Sequence, residues 1–549
     1  VAVFESYPTL GPLVINDQAA EEAFTFYDHP KVLIFQKTDD FDAAKVQALL
    51  GSVDLTNVVH LTPKQAGNYK DLMLPETRLA QQRAGGTWSQ LFNYDWIQNK
   101  YPAVGALFWY AFIFVLGLFA YPITRLALPG LRQYAYPLSR IVGLALLAWI
   151  SWMGGSVGVP YTRVSISVAF AIIAVAGISL GLIRRNQFKD EWDSNRRFFV
   201  MVEILFLVFF LIDLLIRLGN SDLWHPAKGG ERPMDFSYFN AVLKSTSFPP
   251  YDPWFAGGYI NYYYYGFVLA GTPLKLLGIV PSIGYNFILP TWYALIAIGA
   301  FTVAYNLVDG FKTEDEGHST LRQAQGNAFD IRLVSGLTAS VMAVLIGNLG
   351  TIQMVFQAFQ RLAMPSGTIL ADATLVQRWL WAFKGISLLA GEALLPIGRG
   401  DWYWNPSRVI PPGPGNEITE FPLFTFLYSD LHAHMLVMPL TLFIIAWAVS
   451  FIKSRAQLSR AEWIAAFGIG ALMIGALKPT NTWDLYTFFP FTALAMIYAI
   501  NRHFEWKGRF KLPDWLGRLL FSIGAVVVLY ALGSLLYLPF NVWYSQAYN

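Results

Sequence analysis

Long apolar runs, separated by short polar stretches, dominate the chain beyond residue 100. A run of about 20 predominantly apolar residues is long enough to cross the hydrocarbon core of a membrane as a helix. The pattern therefore predicts ten membrane-spanning helices. They lie near residues 103–124, 139–155, 164–183, 198–218, 285–307, 333–356, 433–452, 462–478, 483–501 and 516–540.

A further apolar stretch, residues 259–278, is interrupted by two glycines and a proline. Lysine and arginine are enriched in the cytoplasmic loops of membrane proteins. The basic residues between 309 and 332 therefore belong on the cytoplasmic side, which permits only one crossing just before them. We predict that residues 259–278 form a re-entrant or interfacial segment. The extracytoplasmic side then carries the loops 219–258 and 357–432 and the turn 478–484.

Residues 1–100 form the only long stretch of soluble composition. Lys31–Lys37 is typical of a strand, and Asp40 is placed to cap a helix over Phe41–Leu50 that Gly51 ends. The pattern predicts a small extracytoplasmic α/β appendage. Since the first residue is valine and not an initiator methionine, we expect the chain to be processed or to be a piece of something longer.

Composition agrees with membrane insertion. The chain is 55% hydrophobic and 14% charged, whereas soluble domains carry about 25% charged residues. Residues 101–549 are therefore predicted to be an all-α polytopic membrane domain. A net charge of +3 is too small to indicate nucleic-acid binding. The absence of cysteine excludes disulfides, thiolate metal sites and cysteine nucleophiles.

The first cluster of candidate functional residues contains Glu231 and Asp235. Pro233 suits the first turn of a helix, and an acid in that turn is stabilised by the helix dipole. The apolar residues that follow predict an amphipathic helix lying on the membrane. Asp235 is a candidate catalytic carboxylate, with Glu231 as its neighbour. The alternative is that Asp235 only stabilises the helix end.

The second cluster contains Asp430, His432 and His434. If residues 428–438 are helical, Asp430 and His434 lie on one face and could share a metal ion or a phosphate-linked network. His432 could join them only if the helix begins later. The alternative is a carboxylate–imidazole hydrogen bond that holds a helix end.

Cations and aromatic residues nearby could bind a substrate. Arg408 and Lys478 are placed to meet an anionic headgroup, although a lysine at the end of an apolar helix can also snorkel to the interface. Asp213 and Arg217, four residues apart in a span, are predicted to form a structural pair. The residues that could stack on a sugar or line a groove for an isoprenoid are Trp254, Tyr262, Tyr263, Tyr264, Tyr265, Asn481 and Trp483.

These motifs together resemble a known family. The blocks are Glu231–Asp235, Pro249–Trp254, Gly257–Gly266, Glu420–Pro422, Ser429–His434 and Asn481–Asp484. They are similar to the YYY family of Chloroflexi and archaeal membrane proteins, also called domain of unknown function 2298, over roughly residues 100–540. That family is grouped with the GT-C glycosyltransferases, which use polyprenyl-phosphate-linked sugars. The resemblance implies that Asp235, in the first large extracytoplasmic loop, is a catalytic base or a metal ligand. It also implies that the N-terminal appendage is the end of a preceding unit.

The predicted function is thus that of a plasma-membrane glycosyltransferase, which moves a sugar from a polyprenyl-phosphate donor to an extracytoplasmic acceptor. Asp235 would take the proton of the acceptor hydroxyl. Arg408, Lys478, or a magnesium or manganese ion near Asp430, His432 and His434, would stabilise the departing phosphate. The alternatives are a transporter or flippase for a lipid-linked sugar, and a non-catalytic subunit of a larger membrane complex.

Overall fold

The structure is a computed structural model. It describes residues 2–4, 7, 9–14, 32–52, 76–77, 80, 88–219, 221, 223, 231–254, 258–261, 263–308, 331–346, 348–368, 370–389, 394–398, 401–410, 419–454, 458–503 and 513–544. The chain divides into two compact units, Val1–Val58 and Val59–Asn549. The boundary predicted at residue 100 lies inside the second unit, where Asn99 donates to the Gly278 carbonyl and accepts from the Val280 amide.

The described residues of the first unit form four short strands and one helix. Strand β1 (Ala2–Phe4) pairs antiparallel with β4 (Val32–Ile34), and β2 (Thr9–Leu10) pairs with β3 (Leu13–Val14). Helix α1 spans Ala43–Gly51, and the prediction that Asp40 caps it is wrong. Asp42 is the cap, because its carboxylate accepts from the backbone N–H groups of the first turn.

The second unit is mainly helical in its described residues, with one isolated β-bridge between Tyr251 and Tyr259. Its helices are α2 (Trp88–Leu91), α3 (Ile97–Lys100), α4 (Pro102–Ala127), α5 (Ser139–Ser156), α6 (Arg163–Ile183), α7 (Arg185–Gly219), α8 (Arg232–Lys244), α9 (Tyr265–Leu277), α10 (Pro281–Val308), α11 (Ile331–Val341), α12 (Leu349–Ala363), α13 (Leu375–Leu389), α14 (Asp401–Trp404), α15 (Pro422–Tyr428), α16 (Ala433–Lys453), α17 (Arg460–Thr480), α18 (Thr482–His503), α19 (Asp514–Leu536) and α20 (Leu538–Trp543). Short 3₁₀ turns cover Arg132–Leu138, Leu370–Asp372 and Asn405–Arg408, and a π turn, Met342–Ile346, continues α11.

Nine helices in the described ranges are long and apolar enough to cross a membrane. They are α4 to α7, α10 and α16 to α19, and they match nine of the ten predicted spans. The tenth, predicted at 333–356, is a pair of helices bent by 72° between Ile346 and Leu349. Asn348 occupies the break, where its side chain accepts from the Gly350 amide and donates to the Pro406 carbonyl.

Helix α9 occupies the stretch predicted to be re-entrant or interfacial. It has only 13 residues, so it extends about 20 Å and is shorter than the hydrocarbon core of about 30 Å. Most of its residues are buried, and it packs against α5 and α8. Gly278, whose positive φ of 65° suits glycine, ends the helix. This arrangement brings the start of α9 and the start of α8 into the same packed region.

Candidate functional site

Helix α8 begins within the first predicted cluster. Pro233 lies in its first turn, Glu231 precedes the helix, and Asp235 faces inward with 0% of its side chain exposed. The backbone N–H of Asp235 donates to the Glu231 carbonyl at 2.9 Å. The Glu231 side chain remains 58% exposed. The start of α8 therefore carries two carboxylates, of which Asp235 is buried and Glu231 is exposed.

The second cluster lies on a sharp turn between two helices, so residues 428–438 are not one continuous helix, and the alternative of a helix that begins later is the one observed. Helix α15 ends at Tyr428, Ser429 has a positive φ of 69°, and α16 begins only at Ala433. Asp430 precedes α16, and His432 is its N-cap residue. Asp430 and His434 therefore do not share one helix face.

The turn carries His432 to the acids of α8. The Nδ1 atom of His432 lies 3.0 Å from Asp235 Oδ1, to which it donates a hydrogen bond, and 3.0 Å from Glu231 Oε2. The ring of Tyr263 contacts the imidazole edge to face, with 5.3 Å between ring centroids. The His432 side chain is 19% exposed. We call Glu231, Asp235 and His432 the carboxylate–imidazole cluster.

Burial and neighbouring charges set the proton affinities of this cluster. Burial lowers the pKa of His432, but the hydrogen bond and charge of Asp235, helped by Glu231, outweigh it and raise the pKa to about 9. Burial, reinforced by the charge of Asp235, raises the pKa of Asp430 to about 8. Burial also raises the pKa of Asp235, and His432 opposes this rise. At neutral pH the cluster therefore retains a proton on His432, and Asp430 is mainly uncharged.

A second acid–imidazole pair adjoins the cluster. The Nε2 atom of His434 lies 2.9 Å from Glu420 Oε2 and 3.2 Å from the Thr425 hydroxyl. The hydrogen bond from His434 lowers the pKa of Glu420, although burial opposes this. The two imidazole rings are 5.5 Å apart, and Asp484 is close enough to interact electrostatically with His434. Residues of both predicted clusters and Asp484 of the 478–484 turn thus lie near one another.

The described residues contain no group of three or more histidine and acidic side chains arranged to hold a metal ion. His432 is directed toward Glu231 and Asp235, while His434 is directed toward Glu420. The residues present therefore do not fit a divalent ion bound by Asp430, His432 and His434. The prediction of magnesium or manganese gains no support from this geometry.

The predicted substrate-binding cations lie in different surroundings. Arg408 stacks on Trp404 at 4.0 Å, and the Ser407 carbonyl beside it accepts from the Thr419 amide, next to Glu420. Lys478 donates to Asn541. Among the other predicted residues, Asn481 donates to Asp484 at 2.7 Å, and Trp254 and Trp483 are 67% and 73% exposed.

Successive tyrosines of the aromatic run have different environments, and Tyr262 lies outside the described residues. Tyr263 is half-buried and contacts His432. Tyr264 is buried, accepts from the Trp152 indole at 3.1 Å and stacks on Phe248. Tyr265 is buried and accepts from the Tyr537 hydroxyl at 3.2 Å. Stacking on a substrate stays a prediction for this run, and Tyr263 is the described member best placed for it.

Gly266, which follows the tyrosines, permits a close helix approach. A Cβ atom added there would lie 2.7 Å from Leu436 Cδ1 and 3.0 Å from Leu436 Cβ. We expect Gly266→Ala to destabilise the protein by about 1–3 kcal/mol, because Leu436 and α16 must shift. The thermal unfolding midpoint in detergent checks this. Gly468→Ala is the matched control, since a Cβ at Gly468 meets no atom within 4 Å. Equal midpoints for both variants would contradict the prediction.

Sequence reasoning missed two elements of the site. The predicted pair of Asp213 and Arg217 is not hydrogen-bonded in the described residues, since neither carboxylate oxygen of Asp213 has a partner. Arg217 instead donates to Asn286 and to the Ser429 hydroxyl, and thus supports the turn before Asp430. The role of Glu420 toward His434 was also missed. Its position in the Glu420–Pro422 block was the available signal.

Comparison with protein families identifies one match. The model described as uncharacterized membrane protein (DUF2298) matches residues 146–549. This range includes the carboxylate–imidazole cluster, the second acid–imidazole pair and the aromatic run. Comparison with curated proteins and with solved structures finds no match.

Proposed function

Since the chain belongs to the DUF2298 family of uncharacterised membrane proteins, we propose its activity from its site: transfer of a sugar from a polyprenyl-phosphate donor to an extracytoplasmic hydroxyl acceptor. One observation carries the proposal. A buried acid and an exposed acid meet one imidazole at 3.0 Å, outside the membrane-spanning helices of a polytopic protein. A lipid-linked sugar phosphate presents its reacting bond at that level of the membrane.

The transfer forms a bond from the acceptor oxygen to the anomeric carbon and breaks the bond from that carbon to the phosphate oxygen. The acceptor hydroxyl must lose a proton, and the polyprenyl phosphate leaves with the bonding electrons. Glu231 is the proton acceptor in our proposal, because its carboxylate is exposed and can touch the acceptor. Asp235, at 0% exposure, cannot touch it in this conformation and acts through His432.

The leaving phosphate needs positive charge. His432 supplies it, since its pKa of about 9 keeps the ring protonated at neutral pH. Arg232 adds a second cation. It lies between Glu231 and Asp235 in sequence, is buried, and faces the ring of Tyr428 at 5.5 Å. Asp235 is a positioning residue that orients the imidazole and stabilises its protonated form. Arg408 and Lys478 remain our candidates for contacts with the donor beyond the reacting bond.

The proposal includes a membrane arrangement. The carboxylate–imidazole cluster faces the extracytoplasmic side of the plasma membrane. Helix α9 is re-entrant, which agrees with its length of 13 residues. An acceptor arriving from outside the cell then meets Glu231 without crossing the membrane.

The test is transfer by the purified chain in lipid nanodiscs. Polyprenyl-phosphate hexoses and nucleotide hexoses are offered separately with a panel of hydroxyl acceptors, and mass spectrometry follows the sugar. We expect time-dependent formation of glycosylated acceptor and free polyprenyl phosphate from the lipid donors only. Intact donors throughout the panel would contradict the proposal. Movement of an intact lipid-linked sugar between leaflets would instead favour a transporter.

A further inference from the structure

A cavity of about 160 Å³ lies beside Lys478 in the last turn of α17. Its other walls come from α18, α19 and α20, and include Tyr530, Ser534, Tyr537 and Asn541. A single water requires only about 10–15 Å³ of such space, so the cavity admits a group of several heavy atoms. No lining residue belongs to the carboxylate–imidazole cluster. The cavity is therefore a separate site.

The charge in this cavity is not balanced by an acid. Among the described residues that line it, only Lys478 is charged. Its ammonium donates to Asn541 Oδ1 at 2.9 Å and faces the ring of Tyr544 at 4.5 Å. An ammonium carries three N–H donors. Within the described part of the chain, Lys478 makes neither an ion pair nor a second hydrogen bond, so the cavity offers donors and positive charge to an anion.

The helix end alone does not account for this arrangement. The dipole at the end of a helix carries only about half an elementary charge, so it balances the ammonium in part. A snorkelling lysine extends its ammonium into water. Lys478 instead lines the cavity and is held by Asn541, whose own amide donates to the Ser534 carbonyl at 3.3 Å.

A close helix crossing sets the size of the cavity. A Cβ atom added at Gly475 of α17 would lie 2.6 Å from the Gly533 carbonyl oxygen of α19 and 2.6 Å from the Tyr537 ring. The two backbones therefore meet there, and the helices leave a gap beside Lys478. Tyr530 on the wall is 47% exposed, and Trp483 on the neighbouring helix is 73% exposed. Such aromatic side chains are typical of the headgroup level of a membrane.

The aromatic run connects this cavity to the carboxylate–imidazole cluster. Tyr263 contacts His432, and two residues later Tyr265 accepts a hydrogen bond from Tyr537, which lines the cavity. On the other side, Asn481 and Asp484 follow Lys478 closely in sequence, and Asp484 interacts with His434. A lipid held at Lys478 would thus lie beside the elements that form the proposed reaction site.

We propose that the Lys478 cavity binds the phosphate head group of an anionic membrane lipid. Lys478 supplies the charge, and Asn541 and Ser534 supply polar contacts. The polyprenyl-phosphate donor and an ordinary glycerophospholipid offer the same phosphate chemistry. The identification of the lipid with the sugar donor rests on the proposed function, whereas binding of a lipid phosphate does not.

The experiment measures lipid retention by native mass spectrometry of the full chain. The protein is loaded in phosphatidylcholine nanodiscs that contain polyprenyl monophosphate, phosphatidic acid or neutral polyprenol. We expect Lys478→Gln to reduce the retained phosphate lipid about tenfold, because a charge-assisted contact is lost, and Lys478→Arg to keep it. Lys453→Gln is the matched control, since Lys453 lies in the last turn of α16 and bonds the Asn306 carbonyl.

Retention of polyprenyl monophosphate alone supports a donor site, and retention of both phosphate lipids supports a general phospholipid site. Equal retention of polyprenol and the phosphate lipids overturns the inference, as does equal loss in the Lys478 and Lys453 variants. Retention is measured without any sugar transfer. A chain that binds lipid phosphate at Lys478 but transfers no sugar would therefore contradict the proposed function and leave this inference standing.

Discussion

Asp235→Asn should slow sugar transfer by about 10²–10⁴-fold, equivalent to roughly 3–5 kcal/mol of transition-state stabilisation. Asparagine has the same shape but no charge. It therefore cannot stabilise the imidazolium of His432, whose Nδ1 lies 3.0 Å from the Asp235 carboxylate. If Asp235 only stabilised the start of α8, asparagine would serve nearly as well and transfer would survive. Initial rates and thermal unfolding of the variant, measured together, check this.

Three variants, each compared with the wild type, distinguish a role of Asp235 in positioning His432 from a role in the stability of the protein. Wild-type transfer should decline as pH rises through about 9, where His432 loses its proton. In Asp235→Asn the decline should move to lower pH. Glu231→Gln removes the proposed base but leaves Asp235, so the pH at which its transfer declines should stay closer to the wild-type value. The matched control is Asp514→Asn, an acid that begins α19 and pairs with Arg518 at 2.5 Å, and it should transfer normally. An unchanged pH profile in Asp235→Asn would remove it as a positioning residue.

The protein should lose stability as the solution is made alkaline. The pKa of His432 is raised from 6.5 to about 9 in the folded protein, so its contribution is complete below pH 6.5 and is lost as pH rises through about 9. The difference corresponds to about 3 kcal/mol. Asp430, with its pKa raised to about 8, acts in the same direction, because folding favours its protonated form.

The measurement is chemical or thermal unfolding across the interval from pH 6.5 to about 9. Among the described residues, the charged or titratable groups that interact with His432 are Glu231, Asp235, Glu420, Asp430, His434 and Tyr263, and Arg232 acts on Asp430. His432→Gln should flatten most of the pH dependence, and Asp430→Asn should flatten a smaller part. His503→Gln is the control, since that imidazole bonds the Ile452 carbonyl at the other end of α18. A wild-type midpoint that is constant across this interval would contradict the prediction.

The membrane spans were predictable because apolar length is a local property. Nine of the predicted spans are helices in the structure, and the largest difference in limits is in α7, which begins at Arg185 and not near residue 198. The tenth stays a prediction, because it is a helix pair that counts as a span only if its two halves make one crossing. Apolar composition does not record its 72° bend, at which Asn348 donates to the Pro406 carbonyl, 58 residues away. The helix cap at Asp40 failed for a simpler reason. Asp42, two residues later, offers the same carboxylate nearer the first turn.

The sequence singled out the residues that the structure groups around His432, but it did not indicate how they pair. Each cluster was recognised by acids, histidines and cations that survive in an apolar chain. Their arrangement depends on Ser429, whose left-handed backbone ends α15 and turns His432 toward Asp235, 197 residues away. Spacing along the chain favoured Asp430 with His434, because four residues match one helix turn. The burial of Asp235 is likewise a property of packing and has no local signal.

The three described tyrosines of the aromatic run have a consequence for how this family can vary. Tyr263, Tyr264 and Tyr265 reach His432, Trp152 and Tyr537 respectively, which belong to distant parts of the chain. Adding or deleting one residue here would turn the start of α9 by about 100° and offer each partner the wrong ring. A substitution at one of these tyrosines changes only the contact of that residue, whereas an insertion or deletion changes the contacts of all three. The spacing of this segment is therefore under stronger constraint than its composition.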